Sequence, residues 1–137
     1  MAYGLAVNSP FERALKLQGL PIIGGLPPEA LAALALRCDE AHLLDGEQLF
    51  EAGSPADALF LVLSGAVEGT GGGRYGPDEA VALERFLAGL PHREGAMARG
   101  DLRCLRLSRQ LLLDHLLDFP EVAIHLAEAC ARALIER

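Results

Sequence analysis

The sequence predicts an α+β fold, with helices at both ends of the chain and an all-β middle. Two segments near the N-terminus and two near the C-terminus carry the caps and apolar spacing of helices. Between them, short apolar pieces alternate with glycine and proline, which is the pattern of strands joined by turns. This order differs from the repeated βαβ alternation of a doubly wound domain.

The composition indicates one folded domain. The chain has 137 residues, of which 51% are hydrophobic, enough for a modest core. Its net charge of −7 disfavours attraction to nucleic acid or anionic membranes, because both carry the same sign. No apolar run reaches the roughly 18 residues that span a bilayer, and the N-terminus lacks the pattern of a signal peptide. We therefore expect a cytoplasmic protein without a membrane partner.

The residues that could carry chemistry are scattered. Cys38, Cys104 and Cys130 have neither zinc-ligand spacing nor the density of a disulfide scaffold, so they are predicted to be small core residues. The four histidines show no metal-ligand spacing and no nucleophile partner. The sequence thus predicts no catalytic residue, no metal site and no enzymatic activity.

Two helices are predicted near the N-terminus. Residues 9–19 begin with a Ser-Pro pair, which suits the N-cap and first helical position, and end at Gly19. Residues 27–38 place apolar side chains at helical spacing. The stripe consists of Leu31, Leu34 and Ala35.

The middle of the chain is predicted to form short strands. Asp45-Gly46 and Ser64-Gly65 are turn pairs, because their glycines tolerate positive φ. The run at 58–63, ALFLVL, is apolar throughout, as expected of a strand covered on both faces.

The second half is predicted to contain a helix, two strands and two further helices. The first helix covers 77–90, and the two strands lie within 95–108 around a turn at 100–101. The last two helices begin after Ser108 and at Pro120. The apolar stripe of the first helix consists of Leu83, Phe86, Leu87 and Leu90.

Two ordered motifs fix turn glycines and strand faces together. The first, G-E-x-L-F-x-x-G, consists of Gly46, Glu47, Leu49, Phe50 and Gly53. The second, D-x-L-F-x-V-x-x-G-x-V, consists of Asp57, Leu59, Phe60, Val62, Gly65 and Val67. In this order the motifs resemble those of cyclic-nucleotide-binding domains of the catabolite-activator type, and the resemblance extends over roughly residues 20–137. It implies an eight-stranded, jelly-roll-like β-roll, here with one shortened hairpin, flanked by N- and C-terminal helices.

The resemblance also implies the domain organisation. Residues 1–137 form one domain, with a helical lead-in at 1–38 and C-terminal helices at 108–137. The β-roll, with a short internal helix, occupies 39–107. The helix-turn-helix domain of transcription-factor relatives does not follow, so direct DNA binding is not expected.

The family's ligand-binding segment is altered at 81–94. Its approximate pattern is F-G-E-L-A-L-L-x-x-x-P-R-x-A, in which the glutamate binds the ribose hydroxyl and the arginine binds the cyclic phosphate. Ungapped alignment places Ala82 at the glycine, Leu83 at the glutamate and His92 at the arginine, and Arg93 follows. Leucine accepts no hydrogen bond, and neutral histidine lacks the cationic fork of arginine. The resemblance therefore implies degenerate pocket positions and no expected cyclic-nucleotide cofactor.

Charges near this segment leave two interpretations open. Arg74, Arg85 and Arg93 either converge into a replacement anion site or are separate surface arginines. Glu94 stands where the family has a small residue, and it adds negative charge near the position of a phosphate.

The loop GGGRYG at 71–76 formally matches the G-x-G-x-x-G fingerprint of dinucleotide-binding proteins. An apolar strand precedes it and a helix-like stretch follows. However, the stretch upstream is all-β, and the next strand ends without the acidic residue that holds a ribose. We favour a shortened connection between strands over a phosphate-binding loop.

The last helix carries a seam of apolar and small residues. The seam consists of Ala123, Leu126, Ala127, Cys130 and Leu134. In the resembled family this helix mediates dimerisation, whereas the alternative is that the seam packs on the domain itself. The preferred hypothesis is a regulatory module that has lost cyclic-nucleotide binding and acts through a protein partner or a homodimer. The alternative is a sensor that binds a cyclic nucleotide or another small anion through a remodelled pocket.

Overall fold

The computed structural model describes residues 9–136. In it, helices at both ends of the chain flank a middle made mainly of strands, as the sequence predicts. The helices are α1 (Pro10–Gln18), a 3₁₀ turn (Ile23–Gly25), α2 (Pro28–Ala35), α3 (Leu83–Ala88), α4 (Arg109–Asp118) and α5 (Pro120–Ile135). The strands are β1 (Asp39–Leu43), β2 (Gln48–Phe50), β3 (Ala58–Gly69), β4 (Arg74–Tyr75), β5 (Ala80–Val81) and β6 (Ala96–Ser108). The α+β prediction is therefore confirmed. Two compact units are present: a helical unit, formed by the described parts of Met1–Arg37 and Leu111–Arg137, and a β unit, Cys38–Gln110.

The helical unit begins as its caps predict. The Ser9 hydroxyl accepts a hydrogen bond from the Glu12 backbone N–H at 3.1 Å, and Pro10 occupies the first helical position. The predicted stripe on α2 is buried. The last helix starts at Pro120 as predicted, and its buried face consists of Val122, Leu126 and Ala129. Within residues 9–136, none of the helices combines the length and apolar character needed to cross a bilayer.

Two long antiparallel strands organise the β unit. β3 and β6 pair from Ala58 opposite Ser108 to Gly69 opposite Ala96. β1 and β2 pair with β6, whereas β4 and β5 pair with β3, and every pairing is antiparallel. The buried cluster of this sheet consists of Val62, Val67, Val81, Ala96, Ala98, Leu102 and Cys104.

The sheet has six strands among the described residues, so the expectation of eight is wrong. The predicted turns at 64–65 and 100–101 both lie inside continuous strands. The register between β3 and β6 shifts around Ser64, which bends the pair without ending it. Gly65 has φ of 84°, and a Cβ there would meet the carbonyl oxygen of Asp101. Glycine is therefore required at this bend for both conformation and space.

The helix predicted at 77–90 is also shorter than expected. Asp78 and Ala82 have φ of 73° and 55°, which interrupts any continuous helix. Between them, β5 pairs with β3 through Val81 opposite Phe60. Helix α3 therefore begins only at Leu83. Of the predicted stripe, Leu83 and Phe86 are buried, whereas Leu90 is exposed.

Candidate functional site

The segment 81–94 places an apolar residue where the resembled family has its glutamate. Ala82 adopts a left-handed conformation immediately before α3. Leu83 follows as the first helical residue and is only 9% exposed. Its side chain offers no hydrogen-bond acceptor for a ribose hydroxyl.

His92 turns its ring into the protein. The residue is 4% exposed, and its ring lies parallel to that of Phe50, with centroids 3.5 Å apart and planes within 4°. The backbone holds this position, because the His92 N–H donates to the Ser54 carbonyl and the His92 carbonyl accepts from Gly53, each at 2.8 Å. Burial lowers the pKa of His92, and the charge of Arg85 lowers it further, against the opposing effect of Asp57. The ring is thus a neutral stacking partner at neutral pH.

Two arginines stabilise the end of α3. Arg85 Nε donates to the carbonyl oxygen of Pro91 at 2.7 Å. Arg109 donates to the carbonyl oxygen of Phe86, and its guanidinium carbon lies 5.8 Å from the centre of the Phe86 ring. The Arg109 guanidinium at the Phe86 carbonyl complements the negative end of the dipole of α3.

The three arginines predicted as an anion site have different surroundings. Arg85 lies beside Pro91 and His92, as the hydrogen bond and pKa effect show. Arg74 lies on β4, 4.0 Å from the Glu68 carboxylate, which Arg99 also contacts at 2.7 Å. Arg93 is exposed. The Arg85 guanidinium therefore contacts Pro91 within the altered segment, whereas Arg74 belongs to the ion pairs of the β3–β4 hairpin.

The glycine loop connects β3 to β4 in a hairpin and lies against the carboxylate of Glu94. Gly69 N–H donates to the Gly73 carbonyl at 2.7 Å, which closes the connection between β3 and β4. Gly71 N–H donates to Glu94 Oε1. A Cβ at Gly69, Gly71 or Gly73 would lie within 3.0 Å of that carboxylate. The prediction that the loop connects two strands is thus confirmed, and the anion beside the loop is Glu94.

Further contacts hold this loop to the segment that follows α3. Thr70 N–H donates to the Gly95 carbonyl at 2.9 Å, and Gly95 N–H donates to Thr70 Oγ1 at 3.1 Å. Burial raises the pKa of Tyr75, and Glu94 raises it further, while a hydrogen bond with the Ala82 backbone opposes both. Tyr75, on β4, therefore lies close to Glu94 and to the start of α3. Sequence reasoning missed Tyr75 and the destination of Glu94, although a glutamate in place of a small residue was an available signal.

The seam predicted on the last helix is divided between two faces. Leu126 lies on the buried face, so its assignment to a partner surface is wrong. Ala123, Ala127 and Leu134 are exposed, and Cys130 is half-buried. The exposed apolar surface of α5 also includes Ile124 and Ile135, at 61% and 83% exposure. Because helical spacing separates the two faces by about a quarter turn, one can pack inside the unit while the other stays accessible.

Among residues 9–136, none of the three cysteines forms a disulfide. Cys38 and Cys104 are buried, as predicted for small core residues, whereas Cys130 is half-buried. Burial raises the pKa of Cys104 to about 12, which keeps it protonated and unreactive.

Comparisons with known proteins agree with this fold. The family model for the cyclic nucleotide-binding domain matches residues 40–118. The solved N-terminal domain of a transcriptional regulator from Streptomyces coelicolor A3(2) aligns with a TM-score of 0.78 and 28% identity, over 88% of this chain and 93% of that one. A CRP-like cAMP-activated global transcriptional regulator of Mycobacterium tuberculosis is 26% identical over 125 residues, or 82% of this chain. The potassium channel KOR1 of Oryza sativa subsp. japonica is 33% identical over 67 residues, or 49% of this chain.

These curated relatives are longer than the matched region. The chain spans 54% of the length of the transcriptional regulator and 8% of the length of the channel. The match therefore covers only part of each relative.

Proposed function

This chain belongs to the cyclic nucleotide-binding domain family, and we propose that it is a regulatory module that no longer binds cyclic AMP or cyclic GMP through the usual contacts. In this proposal it acts by contacting a protein partner or a second copy of itself through α5. It has no enzymatic activity, no cofactor and no direct contact with DNA, and its compartment is the cytoplasm.

The observation that carries the proposal is the burial of both altered ligand positions. Leu83 points an apolar side chain into the core, and His92 stacks against Phe50 as a neutral ring. A hydrogen bond to a charged group contributes about 1.5–3 kcal/mol. Without two such bonds, the affinity for a cyclic nucleotide would fall by about a hundredfold or more.

The position of Glu94 adds support. Its carboxylate accepts a hydrogen bond from the Gly71 N–H, so this backbone donor is already paired with an anionic group of the same chain. A cyclic phosphate entering near this segment would meet a like charge, which raises the cost of binding.

The exposed face of α5 supports a role in protein contacts. Ala123, Ala127 and Leu134 follow one another at spacings of four and seven residues, which place them on a single helical face. A contiguous apolar surface of this kind marks an interaction site more often than do isolated apolar residues.

The test is a calorimetric titration of ligand-free protein with cyclic AMP and cyclic GMP at low salt. We expect no saturable heat with either nucleotide, from protein whose fold is verified by circular dichroism. The cAMP-activated regulator of Mycobacterium tuberculosis provides a positive control under the same conditions. Saturable binding at micromolar concentration would contradict the loss of the pocket.

A small-anion sensor is the second candidate function. It is favoured by the position of Arg85 beside His92 and by the exposure of the neighbouring Arg93. If either nucleotide binds, the variants Arg85→Ala and Arg93→Ala should weaken binding. Arg74→Ala, which removes a charge already near Glu68, should weaken it less.

A further inference from the structure

A cavity of about 220 Å³ lies within the helical unit, between α2 and the junction of α4 with α5. Ala30, Ala33 and Val122 contribute apolar surface to its lining. Pockets for drug-sized molecules usually measure roughly 300–1,000 Å³. This cavity therefore suits a smaller molecule, and it is separate from the residues of segment 81–94.

A buried histidine forms part of the lining. His115 is 1% exposed, and neither ring nitrogen has a hydrogen-bond partner among the described residues. Burial lowers the pKa of His115, and the charge of Arg37 lowers it further, against the opposing effects of Asp118 and Glu121. The neutral ring offers one donor and one acceptor. Leaving both unsatisfied in a buried position is costly, so the ring is suited to a polar ligand atom.

Phe119 contacts this histidine and also lines the cavity. Its ring centroid lies 4.9 Å from that of His115, and the residue is 42% exposed at the junction of α4 and α5. Because both imidazole nitrogens are shielded from solvent, binding of a ligand to them requires a side chain in contact with the ring, such as Phe119, to move. A partly exposed side chain next to a cavity can make such a movement at low cost.

The lining also carries negative charge. Glu29 on α2 and Glu121 on α5 are both exposed members of the lining. His125, also in the lining, lies 3.5 Å from the Glu128 carboxylate. Two exposed carboxylates in the lining favour a ligand with a positive charge.

We propose that this cavity binds a small amphipathic amine. The apolar body of the ligand lies against Ala30, Ala33 and Val122. A hydroxyl group at its inner end hydrogen-bonds to His115, because a hydroxyl both donates and accepts and so matches either tautomer. Its ammonium group faces Glu29 and Glu121.

The probe is tyramine, titrated into the full chain and followed by ¹⁵N NMR. Three matched molecules isolate its parts: p-cresol lacks the amine, 4-hydroxyphenylacetate replaces it with a carboxylate, and phenethylamine lacks the hydroxyl. We expect tyramine to bind about threefold more tightly than p-cresol, as for an exposed ion pair. It should bind about tenfold more tightly than phenethylamine, as for one hydrogen bond. The carboxylate should bind most weakly.

Three variants locate the site. His115→Leu removes the partner of the hydroxyl and should weaken tyramine binding about tenfold. Ala33→Leu fills the cavity while retaining His115, so it should abolish binding even if the His115 variant does not fold. Ala32→Leu adds the same volume at an exposed position on α2 and should leave binding unchanged. The proposal is overturned by the absence of tyramine-induced shifts, by shifts confined to other residues, or by unchanged binding in Ala33→Leu.

Discussion

At the scale of single residues, the two buried histidines make the folded state sensitive to acid. For both His92 and His115, burial is the main cause of a lowered pKa, and a nearby arginine adds to it. The folded protein therefore holds these rings neutral under conditions in which the unfolded chain binds a proton. Their contribution to stability is complete above the ordinary pKa of about 6.5 and is lost as the pH falls below it.

This dependence can be measured by urea unfolding between about pH 7.5 and pH 5.5, the range around the ordinary histidine pKa. His92→Phe retains a ring to stack on Phe50 but cannot titrate, so its stability should fall less than that of the wild-type protein. Equal pH dependence in His92→Phe and the wild type would show that His92 does not contribute.

The sequence predicted which ligand-binding groups are missing at the altered site, but it did not predict where the side chains that replace them point. The alignment alone indicated that Leu83 and His92 lack the chemistry of the residues they replace. The stacking of His92 on Phe50 depends on two segments more than forty residues apart in sequence, and no local pattern reports it. For the same reason the sequence did not predict the contact between Glu94 and the glycine loop, since twenty-three residues separate Glu94 from Gly71.

At the scale of elements, the hairpin and the segment after α3 should behave as one coupled pair. Gly71→Ala would place a methyl group against the Glu94 carboxylate and displace it. Glu94→Ala removes the same contact from the other side. Each change should lower the free energy of unfolding by about 0.5–1.5 kcal/mol, the net value of a hydrogen bond. The double variant should be little worse than either single one, because the contact can be lost only once.

Chemical denaturation of the four proteins gives the coupling energy directly. Gly76→Ala is the matched control, because a Cβ there meets its nearest neighbour, the Glu79 carboxylate, at an ordinary 3.8 Å. It should be nearly neutral in both the wild-type and Glu94→Ala backgrounds. Strictly additive effects of Gly71→Ala and Glu94→Ala would contradict the contact.

Elements with local signals were predicted well, and those that depend on distant pairing were not. The starts of α1 and α5 are marked by adjacent residues, a Ser-Pro pair and Pro120 respectively, and both helices begin where expected. The predictions of a turn at 64–65 and of a helix over 77–90 were wrong for a different reason. Glycine marks a bend inside a strand as readily as a turn between strands. The pairing of β5 with β3 overrides the helical spacing around it.

At the scale of the whole molecule, the family defines a binding fold, while the output depends on what the module contacts. The chain matches only part of the length of its curated relatives, which differ in kind from an ion channel to a transcriptional regulator. Such a module transmits a signal only through a surface. The exposed apolar face of α5 is the surface that sequence and structure both offer, although the sequence could not separate it from the buried face that contains Leu126.

If this face joins two copies of the chain, a charge placed on it should separate them. Ala127→Glu puts a carboxylate on the exposed face, where dimerisation would bury it without a partner, so the variant should be monomeric. Arg132→Glu introduces the same side chain almost half a turn away and should remain dimeric. Analytical ultracentrifugation over a concentration series distinguishes the two. A wild-type protein that is monomeric throughout would contradict the homodimer and leave a different protein as the partner. If so, Ala127→Glu should prevent capture of that partner while Arg132→Glu permits it.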